Sequence, residues 1–255
     1  MNKGSEFIRL MGKHVVVLTG IRIDRRERKK RQFAYSGFVI KIREEWFWVT
    51  AGHCLKQLRR WIRKTRFHLS SICFADFFGP KAKSLDLIPF DIKTAELFSL
   101  DQMEVGLDFG MVHLDETYRI EFEANGVTPI TRMHWIEPSK FEFETFKMLG
   151  FPKHLTTDGA IQPVLLTVEQ VDPIEYDQPN SWFAGLISVG KDQISDLDGM
   201  SGGPIFGFTK QQDGSWGYQA IAIQSCWDAR KRVAFGCRLS LFAEAARNEI
   251  VSSGG

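Results

Sequence analysis

Short apolar runs separated by turn-forming residues dominate this chain and constrain it towards sheet structure. Residues 14–19, 33–41, 46–51, 109–114, 144–150, 161–168, 203–208, 217–225 and 233–238 are each rich in Val, Ile, Phe or Trp. Such side chains pack well on a pleated surface, so each run predicts a strand. Between two of them, Asp213-Gly214 is a favoured hairpin connection, because both residues tolerate positive φ. From Leu239 to Ile250 the pattern changes: Phe242, Ala245, Ala246 and Ile250 fall near one face, which predicts a closing helix. No run of 18 apolar residues occurs, so no membrane span is expected. With 255 residues, 44% of them hydrophobic and 25% charged, the chain can bury a full core as one large domain or two small barrels.

Three segments carry chemistry. Val49-Thr50-Ala51-Gly52-His53-Cys54 places a histidine at the end of an apolar strand pattern. Leu107-Asp108-Phe109-Gly110-Met111-Val112 sends an aspartate into another such run, and Gly199-Met200-Ser201-Gly202-Gly203-Pro204 sets a serine among glycines ahead of a third. A serine in a glycine-rich turn, or a histidine after a buried strand, is by itself an ordinary structural feature. Together the three supply what nucleophilic serine catalysis needs: Ser201 as nucleophile, His53 as its base and Asp108 to orient the base. Asp101 and Asp115 are the rival carboxylates, but only Asp108 enters an apolar strand directly. The backbone N–H groups of Gly199 and Ser201 are the natural donors for an oxyanion.

These segments, in the chain order His, Asp, Ser, resemble the trypsin/chymotrypsin-like serine peptidases, of a non-zymogen, bacterial intracellular type. The resemblance extends over roughly residues 14–250. Ser36-Gly37-Phe38-Val39-Ile40 with Trp46-Phe47-Trp48-Val49-Thr50 looks like the hairpin that delivers the histidine. Leu149-Gly150-Phe151-Pro152 and Ala220-Ile221-Ala222-Ile223-Gln224-Ser225 look like later family strands. The resemblance implies an all-β fold: two packed antiparallel six-stranded β-barrels with a C-terminal helix, forming one peptidase domain over 1–255. The first barrel is expected over about 14–120, the second over about 130–238 and the helix over 239–250, with the crossover between 115 and 135. The interval of 93 residues from Asp108 to Ser201 suits the family, while the 55 from His53 to Asp108 are more than usual and imply an insertion within 74–100.

By the same resemblance, Ser195 lies at the base of the primary specificity pocket, with Trp227 and Gly236 on its walls. A neutral Ser195 implies an uncharged substrate side chain, although Asp196 is adjacent. Ser225 resembles the serine that supports the catalytic aspartate, and Ser225, Cys226 and Trp227 offer backbone for strand pairing with substrate. Zymogen-type members carry an aspartate where this chain has Met200, and a thioether cannot pair with a freed N-terminal ammonium. Activation by N-terminal clipping is therefore not expected. The function implied is a serine endopeptidase acting on a protein or peptide, without metal or cofactor. Two alternatives stand beside it: a catalytically silent peptide-binding module of the same fold, and a nucleic-acid-binding protein.

The last alternative arises from charge. Residues 1–66 carry 18 Lys/Arg against 5 Asp/Glu, although the whole chain nets only +2. One cluster comprises Arg25, Arg26, Arg28, Lys29, Lys30 and Arg31; the other comprises Lys56, Arg59, Arg60, Arg63, Lys64 and Arg66. Such patches attract acidic proteins or nucleic acids, though a solvated loop and the polar face of a helix buried through Leu55, Leu58 and Ile62 are the favoured explanation. Cys54 follows His53 as in secreted relatives, but the segment Phe33 to Ile40 that should supply its partner contains no cysteine. Cys73, Cys226 and Cys237 are not at the family's usual bridge positions, and no apolar signal core opens the chain. A reducing, cytoplasmic setting is expected. A Cys226–Cys237 bridge stays open, since the two are expected on neighbouring strands.

Overall fold

The computed structural model describes residues 3–76, 87–135, 142–157, 160–188 and 196–243. Helix α1 (Lys3–Gly12) opens the chain. The first half continues through β1 (Val17–Asp24), β2 (Lys29–Tyr35), β3 (Phe38–Ile42), β4 (Glu45–Thr50) and helix α2 (Gly52–Arg63). Then come β5 (Phe67–Ala75), β6 (Ile88–Pro89), β7 (Leu97–Gln102), β8 (Leu107–Leu114) and helix α3 (Glu116–Ala124). The second half contains β9 (Thr145–Gly150), the short pair β10 (Thr156–Thr157) and β11 (Ala160–Ile161), and β12 (Val164–Val171). It ends with β13 (Trp182–Ile187), β14 (Pro204–Lys210), β15 (Trp216–Asp228) and β16 (Val233–Arg238).

The fold is mostly β, and its second half closes into a six-stranded antiparallel barrel in the order β12-β13-β16-β15-β14-β9. The first half is built differently in detail. It consists of two four-stranded sheets, β2-β1-β5-β6 and β3-β4-β8-β7, joined by a bridge between Val15 and Phe38. The run 33–41 is not one strand, because the chain changes sheet at Ser36-Gly37. There the Gly37 carbonyl accepts from Val16 N–H, and the Trp48 indole fills the space that a side chain would need.

A shared core joins the halves. Phe38 and Phe109 from the first half and Leu149, Phe151, Phe206 and Phe208 from the second are buried together. Phe7 of α1 packs edge-on to Phe208, with ring centroids 4.7 Å apart. The closing helix begins at 239, where Phe242 is fully buried against Phe109; residues 244–250 lie outside the described set. Of the expected insertion over 74–100, 77–86 also lie outside it; its start is the end of β5, and its later part contains β6, a connecting turn and most of β7. Among the described residues no helix is long and apolar enough to cross a membrane.

His14 ties the entry of the chain to both halves. Its Nδ1 lies 2.6 Å from the Thr128 carbonyl and its Nε2 2.8 Å from the Tyr218 hydroxyl. A neutral ring with its proton on Nδ1 satisfies both contacts, since the tyrosine can then donate to Nε2. Burial disfavours the imidazolium, so the pKa falls to about 3, even though the Thr128 hydrogen bond pulls upwards. A histidine with a depressed folded pKa contributes stability above its unfolded value of 6.5 and loses it as pH falls towards 3. Unfolding free energy should therefore drop between pH 6.5 and 5.5 with a slope approaching about 1.4 kcal/mol per pH unit. Urea melts at closely spaced pH values test this, and a flat profile over that window would refute it.

Candidate active site

Helix α2 starts where β4 ends, and its N-cap residue, Ala51, has no side chain able to cap it. The missing acceptor comes from β8. Asp108, fully buried, accepts the His53 backbone N–H on Oδ1 at 2.8 Å and His53 Nδ1–H on Oδ2 at 2.7 Å. One carboxylate thus caps the helix, where a negative charge is favoured, and fixes the imidazole tautomer and orientation. The rival carboxylates are engaged elsewhere. Asp101 pairs with Lys56 at 2.7 Å, and Asp115 caps α3 by accepting from Thr117 N–H and Tyr118 N–H.

The turn carrying Ser201 is pinned to β15 by Gly202 N–H to the Gln224 carbonyl and Gln224 N–H to the Gly203 carbonyl. Gly202 adopts φ +94, and a Cβ there would overlap the Ser36 carbonyl and Thr50 Oγ1. Only glycine allows the turn to press this closely on β4 and so bring Ser201 beside the start of α2. Ser225 is passed over by the β15–β16 ladder, which pairs Gln224 with Gly236 and Cys226 with Phe235. Its carbonyl is thereby available to accept the Ser201 hydroxyl at 3.0 Å. The Cys54 thiol lies between the two segments, 3.6 Å from His53 Nε2 and 3.8 Å from the Ser201 carbonyl. Cys54 is a contact the sequence reading missed, although its adjacency to His53 was the available signal.

Gly199 has φ +95, and its carbonyl accepts from Ser36 Oγ at 3.1 Å. The preceding carbonyl, that of Asp198, accepts from Lys153 N–H at 2.6 Å. In a planar trans peptide the C=O and N–H point in opposite directions, so this bond aims Gly199 N–H away from Lys153. Among the described residues neither Gly199 N–H nor Ser201 N–H has an acceptor. Met200, between them, is fully buried with Met148, Phe183 and Ile205. Apolar packing therefore anchors the turn where an aspartate would need an ion pair.

The remaining candidates fare unevenly. Ser195 lies outside the described residues. Ser225 Oγ donates to the Ile223 carbonyl at 3.3 Å and makes no hydrogen bond to Asp108, which corrects its expected supporting role. Gly236 sits against the Ile223 carbonyl, where a Cβ would come within 2.8 Å. Trp227 packs on the second barrel's core, and its Nε1 is buried with no acceptor among the described residues. Cys226 and Cys237 are on neighbouring strands but not opposite one another, and both are free thiols that burial pushes up to about 12. The proposed bridge is therefore absent. In the basic helix α2, Arg59 bonds Ser99 and the Leu97 carbonyl; beyond its end, Arg66 pairs with Asp24 and Glu27. Trp61 rather than Ile62 completes its buried face.

For His53, burial pulls the pKa down, but the hydrogen bonds to Asp108 and the Cys54 thiol outweigh it, and the net shift is upwards. Its side chain remains 38% exposed. The arrangement brings together an imidazole oriented by a buried carboxylate, a serine hydroxyl bonded to the Ser225 carbonyl, and two backbone N–H groups without an acceptor among the described residues.

No protein-family model matches the chain, and neither does any curated protein. Solved structures do. The thermostable serine protease AL20 from an extremophilic microorganism is 15% identical, with a TM-score of 0.54 over 94% of this chain and 97% of that one. The scabies mite inactivated protease paralogue S-I1 is 14% identical, with a TM-score of 0.52 over 91% and 94%. At these identities the likeness shows the fold, that of the trypsin/chymotrypsin-like serine proteases.

Proposed function

We propose that this chain is a serine endopeptidase that cleaves a protein substrate through His53, Asp108 and Ser201. The observation that carries this reading is the double hold of the buried Asp108 carboxylate on the His53 backbone and ring. With Nδ1–H donated to Asp108, Nε2 carries the lone pair that a base requires. In the reaction Ser201 Oγ turns from the Ser225 carbonyl to Nε2, gives up its proton and bonds to the substrate carbonyl carbon. The oxygen that becomes negative is received by Gly199 N–H and Ser201 N–H. When the carbon–nitrogen bond breaks, the imidazolium returns its proton to the leaving amine. Water, deprotonated by the same imidazole, then hydrolyses the ester and restores Ser201. The Lys153 bond to Asp198 and the buried Met200 support an oxyanion site that is formed without N-terminal processing. Four free thiols fit a reducing, cytoplasmic compartment.

Two observations favour the silent binding module instead: the Ser201 hydroxyl is directed at the Ser225 carbonyl, and Cys54 occupies the neighbourhood of Nε2. Labelling with a fluorophosphonate separates the two readings. The protein as purified should react at Ser201. Because the base must be neutral and its pKa is raised, the rate should climb with pH through a midpoint above the ordinary histidine value of 6.5. Absence of labelling from about pH 6 to about pH 10 would overturn the endopeptidase reading in favour of the binding module.

A further inference from the structure

Beside Gly199 opens a cleft of about 280 Å³ that the proposed chemistry does not use. Its floor is aromatic: Trp61 lies edge-on to Phe33 at 5.5 Å and stacks on Tyr35 at 6.2 Å. The Tyr35 hydroxyl donates to Gln57 Oε1 at 2.5 Å, which leaves the Gln57 amide nitrogen as a donor at the cleft. Its charged groups are Arg22, Arg31, Lys153 and Asp198. Lys153 and Asp198 pair with each other at 3.0 Å, so the arginines supply the uncompensated charge.

Arg22 and Arg31 stand directly opposite one another on β1 and β2. Opposed like charges destabilise a strand pair, and among the described residues neither guanidinium meets a carboxylate. Arg22 is held in place by aromatic faces, 4.6 Å from the Trp61 ring centre and 5.2 Å from that of Phe67. Two guanidinium groups without a carboxylate partner among the described residues, Arg22 fixed by its aromatic contacts and Arg31 exposed beside it, make a receptor for a carboxylate, which can take a forked pair of hydrogen bonds from each.

Position decides whose carboxylate it is. Ser225, Cys226 and Trp227, where the acyl side of a peptide would pair, do not line this cleft, whereas Gly199 does. A chain laid along the β15 edge and crossing Ser201 therefore enters the cleft with the residues that follow the scissile bond. We infer that Arg22 and Arg31 form a leaving-side subsite selecting substrates with Asp or Glu among the first residues after the cut bond. The word substrate rests on the endopeptidase reading; the recognition of an acidic peptide does not.

Digestion of a proteome-derived peptide library tests the inference. Wild-type protein should enrich Asp and Glu at the first three leaving-side positions by about fivefold, the scale of a partly exposed ion pair. The doubly substituted Arg22→Gln/Arg31→Gln protein should lose that enrichment. Because Arg22 also packs on Trp61, Arg31→Gln alone is the second variant. It removes one of two opposed charges, so it should weaken the enrichment while raising Tm at low salt. A wild-type profile indifferent to acidic residues overturns the inference, as does enrichment that survives in both variants. If the wild type neither cleaves nor reacts with a fluorophosphonate, the endopeptidase reading has failed, and the cleft is judged by binding. A fluorescein-labelled acidic decapeptide should then bind more tightly than its neutral counterpart and lose that advantage in the variants. Equal binding of the two peptides overturns the cleft as well.

Discussion

Replacing Ser201 with alanine should lower kcat for peptide cleavage by about 10⁶, the loss found when the nucleophile of such a unit is removed. The fold should survive, because the hydroxyl makes one hydrogen bond, to the Ser225 carbonyl, and the residue is only half-buried. The turn around it is held instead by the backbone bonds of Gly202, Gly203 and Gln224 and by the buried Met200. Cleavage of a peptide found in the library digest, measured with a thermal melt of the same sample, checks both halves of this expectation. Turnover in the alanine variant above about one hundredth of wild type would remove Ser201 from the mechanism.

Asp108→Asn should cost about 10⁴ in kcat, for a reason visible in the two oxygens of the carboxylate. An asparagine can still accept the His53 backbone N–H through its carbonyl, so the helix start is retained. Its amide group would then face Nδ1 with hydrogens, which forces the ring proton onto Nε2 and removes the lone pair that should take the serine proton. The control is Asp101→Asn, which breaks a pair with the exposed Lys56 and should change kcat less than about twofold. A larger loss from Asp101 than from Asp108 would assign the orienting carboxylate wrongly here.

Much of the scaffold could be read locally. The β3–β4 hairpin, β8, the closing barrel strands β14 to β16 and the Asp213-Gly214 turn announce themselves because side-chain alternation and turn preference act over a few residues. Strands β5 and β7 escaped because their patterns are blurred. Ser71 adopts φ +52 within β5, and β7 is half-buried along most of its length with Ser99 and Asp101 inside it. The helix α3 escaped as well, its start marked only by the Asp115 cap within what reads as a crossover.

The sequence alone determined the β class, the glycines that shape the Ser201 turn, and the three residue types from which a hydrolytic site could be assembled. These follow from backbone sterics and apolar periodicity, which neighbouring residues dictate. Only the tertiary structure decided which aspartate reaches His53, that Ser225 serves through its carbonyl, and that Cys54 enters the site. It alone turned Gly199 N–H away from Lys153 and set Arg22 opposite Arg31. Each of these depends on strand register and on contacts between segments far apart in the chain, where a shift of one residue reverses the face a side chain presents.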